Sequence, residues 1–111
     1  EISSMYLDDW YANITKCIKV KNAEIRYYDF NVIQFEMINE CSNIYNEGLI
    51  VKIKGNNETL DSYDLDELQL LPTKTYVLST DFKADLIFNE NSKLEIVYGG
   101  VELNTNSKVL K

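Results

Sequence analysis

Leu49-Ile50-Val51-Lys52-Ile53-Lys54-Gly55 sets Leu49, Val51 and Ile53 on one side of an extended chain and Ile50, Lys52 and Lys54 on the other. Successive side chains of a strand point to opposite faces, so this period of two specifies a strand with one face buried and one wet. Gly55-Asn56-Asn57 follows, supplying residues that tolerate positive φ and ending the run in a turn. The same alternation recurs in Ile33, Phe35 and Met37 against Gln34 and Glu36, and in Leu94, Ile96 and Tyr98 against Lys93 and Glu95. It recurs again in Phe82, Ala84, Leu86 and Phe88.

Working outward, less regular strands are expected at 14–20, where Ile14, Ile18 and Val20 share a face, at 23–28, and at 74–80 around Tyr76 and Leu78. The polar, asparagine-rich stretch from Asn39 to Asn46 reads as a connection, and Asn89-Glu90-Asn91-Ser92 as a hairpin between two alternating runs. Asp61 to Leu71 reads differently. Leu65 and Leu68 are three apart, Ser62 is a capping residue type, and acids at 64, 66 and 67 favour a helix start, so one helical turn is expected there. Pro72 ends it, having no amide hydrogen and disfavouring helical geometry at Leu71. No linker, repeat or low-complexity tract divides residues 1–111, which read as a single domain. Seven short strands with almost no helix imply an all-β sandwich or barrel.

Apolar residues make up 45% of the 111 and charged residues 26%, a balance that favours a folded globule over a disordered chain. No stretch approaches the roughly 18 continuous apolar residues of a membrane span. The chain begins at Glu1, which suggests a processed product or a soluble piece cut from something longer, from which any anchor would be missing. Its formal charge is −7, and Arg26 is the only arginine. A nucleic-acid binder needs a basic stripe, so nucleic acid is excluded as a partner. Cys17 and Cys41 are the only cysteines, too few for a zinc site. They form either one disulfide, contributing about 3 to 4 kcal/mol by loop-closure entropy, or two buried thiols acting as small hydrophobes.

Leu70-Leu71-Pro72-Thr73-Lys74-Thr75-Tyr76 resembles the corner of fibronectin type III and related immunoglobulin-like sandwiches, in which a tyrosine fixes the turn before a late strand. The resemblance implies that Tyr76 buries its ring while its hydroxyl bonds backbone a few residues upstream. Thr73 stands where those domains usually have glycine. The expected fold is therefore a two-sheet immunoglobulin-like β-sandwich of about seven strands.

A second resemblance spans more of the chain. Lys19 to Asn22, a strand ending in Asn39, Lys52 to Gly55, the Leu-Pro-Tyr corner and Tyr98-Gly99-Gly100-Val101 follow an order similar to that of the secreted sandwich domains of archaeal type IV pilin-like proteins, in particular the stator subunits of the archaellum. It implies an extracellular or pseudoperiplasmic domain, anchored in the full-length protein by a helix, that binds a surface-layer protein or a sister stator subunit.

The sequence contains no histidine, which removes Ser-His-Asp and Cys-His catalysis and all imidazole metal ligands. Paired carboxylates remain, but a glycosidase needs them facing across a cleft. No enzymatic activity and no cofactor are expected. Asp61, Asp64 and Asp66 form a calcium candidate set, although their order lacks the glycine and terminal glutamate of an EF-hand loop, and a solvated acidic turn is the favoured reading. Asn13-Ile14-Thr15 and Asn57-Glu58-Thr59 match the glycosylation pattern, with Asn57 in a turn the better acceptor and Asn13 opening a strand. Apolar residues on faces that alternation assigns to solvent are Tyr27 or Tyr28, Ile50 and Ile87, and these are the candidate protein interface. Ile50 leads, because it interrupts a lysine-bearing face and suits a homodimer contact. Trp10 and Tyr11 either anchor the first strand or meet a neighbour. A soluble acidic inhibitor steered onto a basic enzyme is the alternative function.

Overall fold

A computed structural model describes Trp10 and residues 12–26, 32–55, 58–82 and 92–110. In chain order the strands are β1 (Ile18–Arg26), β2 (Val32–Asn39), β3 (Tyr45–Gly55), β4 (Glu58–Leu70), β5 (Thr75–Asp81), β6 (Lys93–Tyr98), β7 (Val101–Leu103) and β8 (Ser107–Leu110). They form two four-stranded sheets, β5-β2-β1-β8 and β4-β3-β6-β7, packed as a sandwich. With β1, β2 and β5 facing β3, β6 and β7, the order follows the A-B-E against C-F-G pattern of immunoglobulin-like domains.

The alternating runs place their apolar sides inward as their period requires. Ile33, Phe35 and Met37 of β2, Leu49, Val51 and Ile53 of β3, and Leu94, Ile96 and Tyr98 of β6 are all buried. Lys52 and Lys54 lie on the outer face of β3, with each ammonium 3.9 Å from the Glu95 carboxylate. Such exposed pairs contribute less than about 1 kcal/mol each.

Three expectations are corrected. Residues 12–17 are helical, not extended, so Asn13 lies in a helix rather than opening a strand. Ile14 and Cys17, three apart on the helix, are both buried, and Ile18 at the start of β1 is buried as well. Next, the described extended parts of the strands expected at 14–20 and 23–28 belong to a single β1, Ile18–Arg26, with a break in register between Lys21 and Glu24. Asn22 sits there at φ 54, and its amide donates to the Glu36 carboxylate over 3.1 Å. The extra residue reverses the alternation, so Ile18 faces inward before it and Ala23 and Ile25 after it. Beyond the break β1 also pairs in parallel with β8.

The third correction concerns 61–71, of which 61–70 belongs to β4 and Leu71 lies just beyond it, with no helical turn. Leu49 pairs with Leu65 and Glu47 with Leu68, so Asp66 and Glu67 together oppose Gly48. A bulge of two residues against one leaves apolar positions three apart in an extended strand, which imitates helical spacing. The alternating run from Phe82 to Phe88 lies outside the described residues beyond Phe82, which is buried.

Two turns show why their residues are where they are. Between β4 and β5, Lys74 N–H donates to Leu71 O over 3.4 Å, with Pro72 second and Thr73 third at φ 62. This is the plan of a type II turn, whose third position favours glycine. Between β6 and β7, Gly99 (φ 59) and Gly100 (φ 81) supply the two positive φ values of a two-residue hairpin.

Candidate protein-binding surfaces

Cys17 and Cys41 form a disulfide that ties the helix to the connection between β2 and β3, with Cα atoms 5.2 Å apart. Asn39, fully buried at the end of β2, organises the same region. Its amide nitrogen donates to Asn43 O (2.6 Å) and Leu70 O (3.0 Å), and its side-chain oxygen accepts from Cys41 N–H (3.0 Å). Its backbone oxygen accepts from Thr73 N–H over 2.7 Å. Asn39 thus joins the disulfide loop to the corner that leads from one sheet to the other. In the sequence it opens a polar, asparagine-rich connection, and only the register of β2 shows that it points inward.

At the corner the expected hydroxyl contact is present, while the Tyr76 ring is only partly buried. Tyr76 Oη accepts from Leu71 N–H over 3.0 Å, five residues upstream, as the chain leaves β4 in one sheet and enters β5 in the other. A second tyrosine, Tyr98, spans the β4 bulge. Its hydroxyl donates to Leu68 O (2.6 Å) and accepts from Glu47 N–H (3.2 Å). Burial pushes its pKa up to about 12.

β4 and β5 border the same side of the sandwich, at the ends of their respective sheets. Between them opens a groove of about 400 Å³, floored by Phe35, Leu49 and Val51 and walled by Tyr63, Leu65 and Leu78. Leu65 remains 47% exposed and, on the outer face of β5, Val77 61%. Asp64 lines the groove on the β4 side, within a strand that also bears Glu58, Asp61, Asp66 and Glu67. Tyr63 donates to the Asp61 carboxylate over 2.8 Å, and burial, followed by this acceptor, raises its pKa far above the usual tyrosine range.

The calcium candidates are drawn apart by this geometry. Asp64 is paired with Ile50 on the outer face, whereas Asp61 shares the register side of Tyr63, paired with Ile53. Carboxylates on opposite faces of a strand do not converge. Among the described residues no group of three potential ligands is placed to hold a metal ion. The favoured acidic turn is accordingly an acidic strand.

Ile50 is 36% exposed, between Asp64 and Val97 in register on the outer face of the β4-β3-β6-β7 sheet. Tyr27, Tyr28, Ile87 and Asn57 lie outside the described residues. Asn13 is exposed on the helix, with buried Ile14 beside it. Trp10 packs against Tyr45 with ring centroids 6.2 Å apart and donates its indole N–H to Gly99 O over 3.0 Å, so it anchors the start of the described chain to the β6–β7 hairpin. Among the described residues no helix is long and apolar enough to cross a membrane.

The fold and these surfaces define a disulfide-tied, two-sheet β-sandwich. No protein-family model, curated protein or solved structure matches the chain.

Proposed function

We propose that this chain is a non-catalytic extracellular domain that works by binding another protein in a cell-envelope or filament assembly. The observation behind the reading is the Cys17–Cys41 disulfide, because such bridges persist in oxidising compartments and are rare in reducing ones. The large apolar groups left exposed among the described residues of a strongly acidic chain, Ile44, Ile50, Leu65 and Val77, supply the reason to read binding. The finer reading, a stator component of the archaellum that meets a surface-layer protein or a sister subunit, rests on the order of sequence segments alone.

Thiol titration of the protein in denaturant without reductant is expected to find no free thiol. Two reactive thiols per chain, in protein taken from its native compartment, would overturn the exported reading. A homodimer through Ile50 is tested by Ile50→Lys, which should convert dimer to monomer in light scattering with the fold retained. An unchanged mass removes that face.

A further inference from the structure

We propose that the edge of β5, with the groove beneath it, accepts an extended segment of another protein bearing basic and apolar residues, added as a new strand to the β5-β2-β1-β8 sheet. β5 has one hydrogen-bonded neighbour among the described residues, and its pairing to β2 runs without interruption from Thr75↔Ile38 to Asp81↔Val32. Thr75-Tyr76-Val77-Leu78-Ser79-Thr80 holds no charge, proline or glycine and is rich in β-branched and aromatic residues. These are the features of an edge open to a further strand, since charges, bulges and proline are what ordinarily prevent one.

The adjoining surfaces specify what the segment is made of. Side chains of an added strand that point inward would meet Tyr63, Leu65 and Leu78, which calls for apolar residues. The acids of β4 stand one sheet away, about 10 Å, close to the screening length of physiological salt. They favour lysine or arginine in the same segment. They also disfavour a second copy of this chain, because pairing β5 with β5 would bring two β4 strands together, each with five acids.

The inference rests on the protein-binding reading and fails separately from it. The probe is a fluorescent octapeptide of alternating valine and lysine, compared with one of valine and glutamate, with binding followed by anisotropy and amide exchange by NMR. The expected result is binding of the lysine peptide at least tenfold tighter than the glutamate peptide, with every second amide of residues 75–81 gaining protection. Asp64→Lys combined with Asp66→Lys, at exposed positions, should reverse the preference. Should that variant fail to fold, the two peptides on the unaltered chain decide.

Equal binding of both peptides, or binding that leaves β5 exchange unchanged, overturns the proposal. So does protection, in free protein, of the outward-facing β5 amides that are not bonded to β2, which would mean that this chain covers the edge in a monomer or that a second copy does in a dimer. Absence of peptide binding by folded, fully oxidised protein removes strand addition and leaves the exported binding domain standing.

Discussion

β4 and β5 border one side of the sandwich, and each is paired to a single strand among the described residues, yet they are differently made. β4 spreads five acids over thirteen residues and shifts register twice against β3. β5 runs seven residues in unbroken register, with its only charge at the last, Asp81. Charge and bulging deter a further strand, so one edge is closed to addition by its own sequence and the other is not. The two are held by different anchors as well. Tyr98 clamps the β4 bulge with two hydrogen bonds, Tyr76 fixes the entry to β5 with one, and Asn39 binds the corner between them.

The largest effect is expected where both edges share an anchor. Asn39→Ala removes a buried side chain that serves three backbone groups and leaves Leu70 O, Asn43 O and Cys41 N–H without that partner. A loss of about 3 kcal/mol is expected, measured by urea denaturation. A loss below about 1 kcal/mol would mean that the corner is held by the turn alone.

Tyr98→Phe should come next, at about 2 kcal/mol, because both groups spanning the β4 bulge lose their partner. Titration sharpens this. Tyr98 loses its proton at about 12 in the folded state against 10 ordinarily. Its contribution is complete below pH 10 and is lost as pH rises from 10 toward 12, where the unfolded chain ionises first. Stability should fall less steeply across that window in Tyr98→Phe than in the unaltered protein. Parallel curves would show that the phenol is not buried against water.

How far these anchors were legible in the sequence follows from their physics. Regular strands were readable because a period of two survives wherever register is continuous, as in β2, β3 and β6. β1 and β4 were misread because each inserts residues at a bulge, and a bulge changes the period without a local sequence mark strong enough to locate it. In β4 the result was Leu65 and Leu68 at helical spacing. The helix at 12–17 was lost because Ile14 and Ile18 satisfy a spacing of four, common to helix and strand. Tyr76 was legible through the resemblance of the Leu70–Tyr76 run to a known sandwich corner, whereas Tyr98 looked like one more inward residue of an alternating run. The groove depends on which strands become sheet edges, and strand order is a long-range property that no local window contains.

Tyr76→Phe is expected to cost about 1 kcal/mol, less than Tyr98→Phe, since one backbone N–H loses one acceptor. If the order of the two were reversed, β5 rather than β4 would be the more tightly held edge. Thr73→Gly should act in the opposite direction. Thr73 holds φ 62, which a β-branched residue adopts at a penalty, and its side chain is exposed. A gain of about 0.5 kcal/mol is expected, the relief being partly offset by the greater freedom of glycine in the unfolded chain. No gain in thermal midpoint would mean that the turn is not strained.

The smallest change in stability should accompany the clearest change in behaviour. Val77→Lys places an ammonium on the outer face of β5 at a position already 61% exposed, so the fold loses little and stability should move by less than about 0.5 kcal/mol. The edge, however, would then bear the kind of charge that protects natural edges. Edge-to-edge self-association, which the β4 acids already hold to high protein concentration in the unaltered chain, should be weaker still in Val77→Lys, as read by light scattering. Replacing Asp64, Asp66 and Glu67 together with threonine should raise it by making β4 resemble β5. If the lysine leaves association unchanged while the threonines increase it, the contrast is confined to β4. Net charge, not strand-edge chemistry, would then account for how this side of the sandwich behaves.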